Sequence, residues 1–145
     1  MNLSAKINLS EVFVSIQGEG RLLGVPSIFV RTSGCNLRCE WQGTRCDTPY
    51  TSWEATYNTV SVGQTVQKVL LLRQQYPEIR HVVITGGEPL LQAALPDLCD
   101  ALKAHELHLT IETNGTLIAD LQADLISISP KLDSSVPADP TASCG

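Results

Sequence analysis

The chain has 145 residues and a formal net charge of −5, with 43% hydrophobic and 17% charged residues. That length gives one domain with a real core and no room for two, and the acidic balance argues against a general nucleic-acid surface, which needs clustered Lys and Arg. No apolar run approaches the roughly 20 residues of a membrane-spanning helix, and Met1–Lys6 lacks the basic-then-apolar pattern of a secretory signal. A cytoplasmic protein with no membrane and no direct nucleic-acid partner is therefore the expectation.

Ser10–Ile16 alternates loosely and predicts a first strand, closed by the turn-rich Gln17-Gly18-Glu19-Gly20. Pro26–Arg31 predicts a second, with Ile28, Phe29 and Val30 as its buried run. A cysteine-bearing loop then extends to about Trp53. Thr65–Gln75 has helical spacing and is stopped by Pro77. His81–Thr85 predicts a buried strand ended by Gly86-Gly87, and Leu91, Leu95, Leu98 and Leu102 mark one face of a helix. His108–Glu112 predicts the next strand, a short helical piece is expected near Leu117–Gln122, and Leu125–Ile128 follows as a strand. Strand–helix alternation at this spacing implies parallel strands with helices outside them, and chemistry at the strands' carboxyl ends. Residues 133–145 read as a loose tail.

Five cysteines without an export signal do not suggest a disulfide framework. Cys35, Cys39 and Cys46 fall close together, whereas Cys99 and Cys144 stand alone. Cys99, inside the leucine-faced helix, reads as a small buried hydrophobe. Thiolates suit zinc or iron–sulfur clusters. A structural zinc site normally has four protein ligands, while three thiolates around a four-iron cluster leave one iron open. Zinc and incidental cysteines remain alternatives at this point.

The flanking residues carry a resemblance. Gly34-Cys35-Asn36-Leu37-Arg38-Cys39, Cys46-Asp47-Thr48 and Thr85-Gly86-Gly87-Glu88-Pro89 resemble the radical S-adenosylmethionine superfamily. With Ile16-Gln17-Gly18-Glu19-Gly20, Glu112-Thr113-Asn114-Gly115 and Ser129-Pro130-Lys131, the chain is similar from Glu11 to about Lys131 to the 7-carboxy-7-deazaguanine synthase family within it. One departure stands out: the superfamily usually places two residues between its second and third cysteines, and here Glu40 to Arg45 intervene, with Gln42–Arg45 as the inserted part. The family's aromatic residue before the third cysteine is replaced by Arg45, with Trp41 displaced.

The resemblance implies an α/β fold, a partial parallel (β/α) barrel lacking its C-terminal part, and a single domain over residues 1–145. It implies a 4Fe-4S cluster on Cys35, Cys39 and Cys46, S-adenosyl-L-methionine, and Mg2+ on Thr48. Arg45, Cys46, Asp47, Gly87, Ser129, Pro130 and Lys131 are expected to bind the cofactor. Ile16, Gln17, Gly18, Glu19, Arg31 and Thr85 are expected to bind the pterin substrate, with Arg31 on its carboxylate. The implied reaction is the radical-mediated contraction of 6-carboxy-5,6,7,8-tetrahydropterin to 7-carboxy-7-deazaguanine with loss of ammonia, in queuosine biosynthesis. The implied partners are an electron donor such as flavodoxin and a second copy in a homodimer. Family members continue past residue 145, so cleavage of S-adenosylmethionine with little deazaguanine product is the expected activity. Another small radical enzyme of this superfamily, such as a glycyl-radical activating enzyme, a non-catalytic zinc module and an inactive short copy are the alternatives.

Overall fold

The computed structural model describes residues 1–139 and 141; Cys144 lies outside them. The strands are β1 (Lys6–Ile16), β2 (Pro26–Thr32), β3 (Glu40–Trp41), β4 (Thr44–Arg45), β5 (Asn58–Ser61), β6 (His81–Gly86), β7 (His108–Thr113) and β8 (Leu125–Ile128). The helices are α1 (Val62–Gln75) and α2 (Leu95–Lys103). Among the described residues, six strands form one sheet in the order β5-β1-β2-β6-β7-β8. β2, β6, β7 and β8 run parallel, and β1 is antiparallel to both β2 and β5. This is the mostly parallel α/β architecture of part of a (β/α) barrel.

The two faces of the sheet follow from strand alternation. Ile28 and Val30 of β2, Val82 and Ile84 of β6, and Leu109 and Ile111 of β7 turn to one face and are buried there. They pack in one core with Val62, Val66 and Val69 of α1 and Leu95, Leu98 and Leu102 of α2. Arg31, Thr85 and Glu112, one residue further along β2, β6 and β7, belong to the opposite face. Helix α1 begins at a capping box: Ser61 Oγ accepts from Gln64 N–H, and the Gln64 side chain accepts from Ser61 N–H.

Three expectations need correction. β1 starts at Lys6 rather than Ser10, because Lys6–Leu9 pairs with β5. Leu91 is not on the α2 face: it closes a 3-10 turn over Pro89–Leu91 and is exposed, and α2 starts at Leu95. Leu117–Gln122 is not helical. Ile118 is 99% exposed, leaving Leu121 as the segment's one residue packed against the core among the described residues, too little apolar surface to hold a turn of helix. Within the stretch read as tail, Asp133–Ser135 forms a 3-10 turn with Ser135 buried.

Candidate functional site

The carboxyl ends of β2, β6, β7 and β8 surround a cavity of about 440 Å³. Its far wall is the β1–β2 turn, which reaches across the inner face: Gln17 Nε2 donates to Glu112 Oε1 at 2.8 Å, and Gly20 lies against Ser127 of β8. Cys35, Cys39 and Cys46 all line this cavity. The residues between the second and third cysteines explain how. Trp41 pairs with Thr44, and the two residues between them, Gln42 (φ 50°) and Gly43 (φ 82°), both have positive φ. That is the backbone of a tight two-residue hairpin turn. The chain folds back on itself, and Cys46 N–H donates to Cys39 O at 3.0 Å. The wider sequence spacing therefore leaves the two cysteines adjacent in space.

The loop is clamped to the sheet from below. Glu88 N–H donates to Gly34 O at 2.8 Å, and Gly34 N–H to Thr51 O at 2.8 Å. A Cβ on Gly87 would collide with Gly34 O, Thr51 O (2.7 Å) and Cys35 Cβ (2.8 Å), so only glycine lets the loop sit this close. The Glu88 carboxylate is fully buried and accepts from Leu90 N–H (3.0 Å), Thr113 Oγ1 (2.8 Å) and Asn114 N–H (2.8 Å). Asn114 in turn donates to Asn36 at 3.1 Å, beside Cys35.

Burial pushes the Cys35 and Cys39 thiols above their ordinary range; the Leu37 N–H opposes this at Cys35, and Lys131 opposes it at Cys39. Cys46 Sγ lies 3.2 Å from Ser52 Oγ. Among the described residues, no three His, Cys, Asp or Glu side chains converge as a single ion would require. All three thiols line the cavity, one fewer than the four protein ligands of a structural zinc site and the number that leaves one iron of a four-iron cluster open.

Most of the residues expected at the site meet here. Gln17, Gly18, Glu19, Arg31, Asp47, Thr48, Thr85, Gly87, Ser129 and Lys131 line the cavity with the cysteines. Thr48 precedes the 3-10 turn Pro49–Thr51, but its side chain makes no capping bond. Three expected residues do not line it. Ile16 is 62% exposed at the end of β1. Pro130 is not among the lining residues. Arg45 turns away, pairing with Glu54 at 3.0 Å and lying 4.4 Å over the Trp53 ring. Trp41 lines the cavity in its stead, with Lys131 Nζ 6.0 Å above its ring. Phe29, Ser52, Glu112 and Asn114 also line it without having been assigned a role. Glu112 and Asn114 sit in a motif at a strand end, which was a usable signal; Phe29 and Ser52 carried none.

The family model described as the radical SAM superfamily matches residues 29–134. The chain belongs to the radical SAM superfamily. It is 52% identical over 129 residues to the 7-carboxy-7-deazaguanine synthase of Halobacterium salinarum, covering 89% of this chain and 47% of that protein. It is 47% identical to the synthase of Rhodopirellula baltica, with the same two coverages. The crystal structure of QueE from Escherichia coli superposes with a TM-score of 0.69 at 32% identity, covering 88% of this chain and 61% of that one. The chain thus spans about half the length of the curated relatives it matches. Radical SAM membership implies a 4Fe-4S cluster and S-adenosylmethionine, and the three thiols lining the cavity fit the first of these.

Proposed function

We propose that the cavity performs 7-carboxy-7-deazaguanine synthase chemistry: Cys35, Cys39 and Cys46 hold the cluster, and a 6-carboxy-tetrahydropterin lies against Arg31. The observation that carries this is the return of Cys46 to Cys39 through the β3–β4 hairpin, in a cavity that Arg31, Thr85 and Gln17 also line. When bound, the cluster supplies an electron and S-adenosylmethionine supplies the hydrogen-abstracting group. The chain's own residues do the rest. Gly87, which lines the cavity and lets the cysteine loop sit close, presents its backbone where the methionine end of the cofactor would lie. Asp47, Ser129 and Lys131, with Trp41 as an aromatic surface, form the cofactor side. The Arg31 guanidinium pairs with the pterin carboxylate, and Gln17, Glu19 and Thr85 offer hydrogen bonds to its ring. Thr48, with an uncommitted hydroxyl, is an oxygen donor for Mg2+.

The similarity to the synthases of Halobacterium and Rhodopirellula supports this choice of substrate within the superfamily. The same proposal covers residues 1–145 as one radical SAM domain, an electron donor of flavodoxin type, a homodimer and a cytoplasmic location. The test is anaerobic reconstitution with iron and sulfide. The loaded protein should cleave S-adenosylmethionine under dithionite and bind 6-carboxypterin, with 7-carboxy-7-deazaguanine assayed as product. Cluster-loaded protein that neither cleaves the cofactor nor binds the carboxypterin would overturn the proposal.

A further inference from the structure

Arg31 is held before any ligand arrives. The register of β1 on β2 shifts between Leu9 and Glu11, and this irregularity sets Glu11 directly opposite Arg31. Glu11 Oε1 lies 2.9 Å from Arg31 Nε, as an ion pair too far off line for a hydrogen bond. The same Glu11 oxygen accepts from Tyr50 Oη at 3.1 Å. The guanidinium carbon stands 5.4 Å from the Phe13 ring, which is stacked on Phe29 at 5.3 Å. The Arg31 side chain is 18% exposed, and that of Glu11 43%.

An ion pair open to solvent on its Glu11 side contributes little to stability, so what this arrangement sets is geometry. Glu11 stands on the Nε side of the guanidinium, and the Nη fork that matches a carboxylate is the part left for a ligand in the cavity that Arg31 lines. A long side chain already held in place loses less freedom when it binds. We propose that Glu11, braced by Tyr50, is a positioning residue that sets Arg31 for bidentate recognition of a planar carboxylate on the substrate, an inference that rests on Arg31 being the substrate's anion site. Glu11 is then a specificity determinant: it favours a carboxylate over an uncharged group of the same shape.

The alternative physical outcome is opposite in sign. If Glu11 merely neutralised Arg31, removing it would strengthen anion binding. The experiment measures binding of pterin-6-carboxylate and of its carboxamide to the reconstituted full chain by pterin fluorescence. Wild type should prefer the carboxylate. Glu11→Ala should weaken carboxylate binding about tenfold and leave the carboxamide unchanged, and Tyr50→Phe should shift the same ratio less. In the Arg31→Lys background, which lacks the planar fork, Glu11→Ala should add nothing. Equal or tighter carboxylate binding by Glu11→Ala overturns the positioning role, as does an equal loss for both probes. Wild type that fails to distinguish the probes overturns the Arg31 assignment itself. Tyr50→Phe keeps the question open to refutation if Glu11→Ala does not fold.

Discussion

A thiol ligates iron only after losing its proton, and burial in an apolar core opposes that loss. Cys99 is fully buried in α2, and desolvation raises its pKa to about 12, so it stays a protonated core residue. Replacing Cys35, Cys39 or Cys46 by Ala should abolish the broad brown absorbance of the reconstituted protein, while Cys99→Ala should leave it. A full cluster in Cys46→Ala would remove that residue from the ligand set. Gly87 makes a sharper test of the loop's seat. Its added methyl would need room that Thr51 O and Cys35 Cβ occupy. Gly87→Ala should cost about 1–3 kcal/mol in urea unfolding, the usual range for overpacking, and lower cluster content with it. Normal loading with normal stability would mean that the loop shifts freely.

At the scale of elements, the hairpin between Cys39 and Cys46 turns an irregular spacing into a regular site. Gly43 sits at φ 82° in its turn, where a β-branched residue is disfavoured by about 1–2 kcal/mol. Gly43→Val should reduce cluster loading while leaving the metal-free protein's urea midpoint nearly unchanged, because β3 and β4 lie outside the main sheet. Unaltered loading would show that the turn does not place Cys46. Ser61→Ala, which removes the α1 cap, should do the reverse: about 1 kcal/mol of stability lost, with the cluster unaffected. The elements that were legible in the sequence share a cause. β2, β6 and β7 are central strands buried over short runs dominated by β-branched and large apolar residues, so their signal survives without context. The helix expected near Leu117 did not form, and Ile118 there stands almost fully exposed. The site was legible where one stretch carries it, as in Cys46-Asp47-Thr48 or Gly86-Gly87-Glu88. It was illegible where residues far apart in sequence meet: Glu88 with Asn114 and Asn36, or Glu11 with Tyr50 and Arg31. Such contacts depend on register, which a shift between Leu9 and Glu11 alters and no local pattern announces.

For the whole molecule, the end of the sheet opposite the cavity sets the response to acid. His81 begins β6 and His108 begins β7, in direct register, with ring centroids 4.6 Å apart and both Nδ1 atoms buried without a hydrogen-bond partner. Burial lowers the proton affinity of His81, the neighbouring His108 lowers it further, and Asp124 partly opposes them. In the unfolded chain this imidazole takes up a proton below its ordinary value of 6.5, whereas the fold resists protonation until the pH is lower. The unfolded state thus binds more protons in the window just below 6.5, and stability falls there as the pH drops. Above 6.5 the contribution is fully present. At Asp124 burial raises the carboxyl's affinity for protons, but hydrogen bonds from Lys103 and from Leu109 N–H outweigh it and hold the group below its ordinary 3.8. Its contribution is present above 3.8 and is lost as the pH falls through the lower, folded value. Two separate declines in the urea midpoint are expected on acidification, one beginning near pH 6.5 and one below pH 4. His81→Phe keeps a ring against His108 but has no proton to gain, so it should flatten the first decline and preserve the second. An identical first decline in wild type and His81→Phe would place the acid sensitivity in other groups.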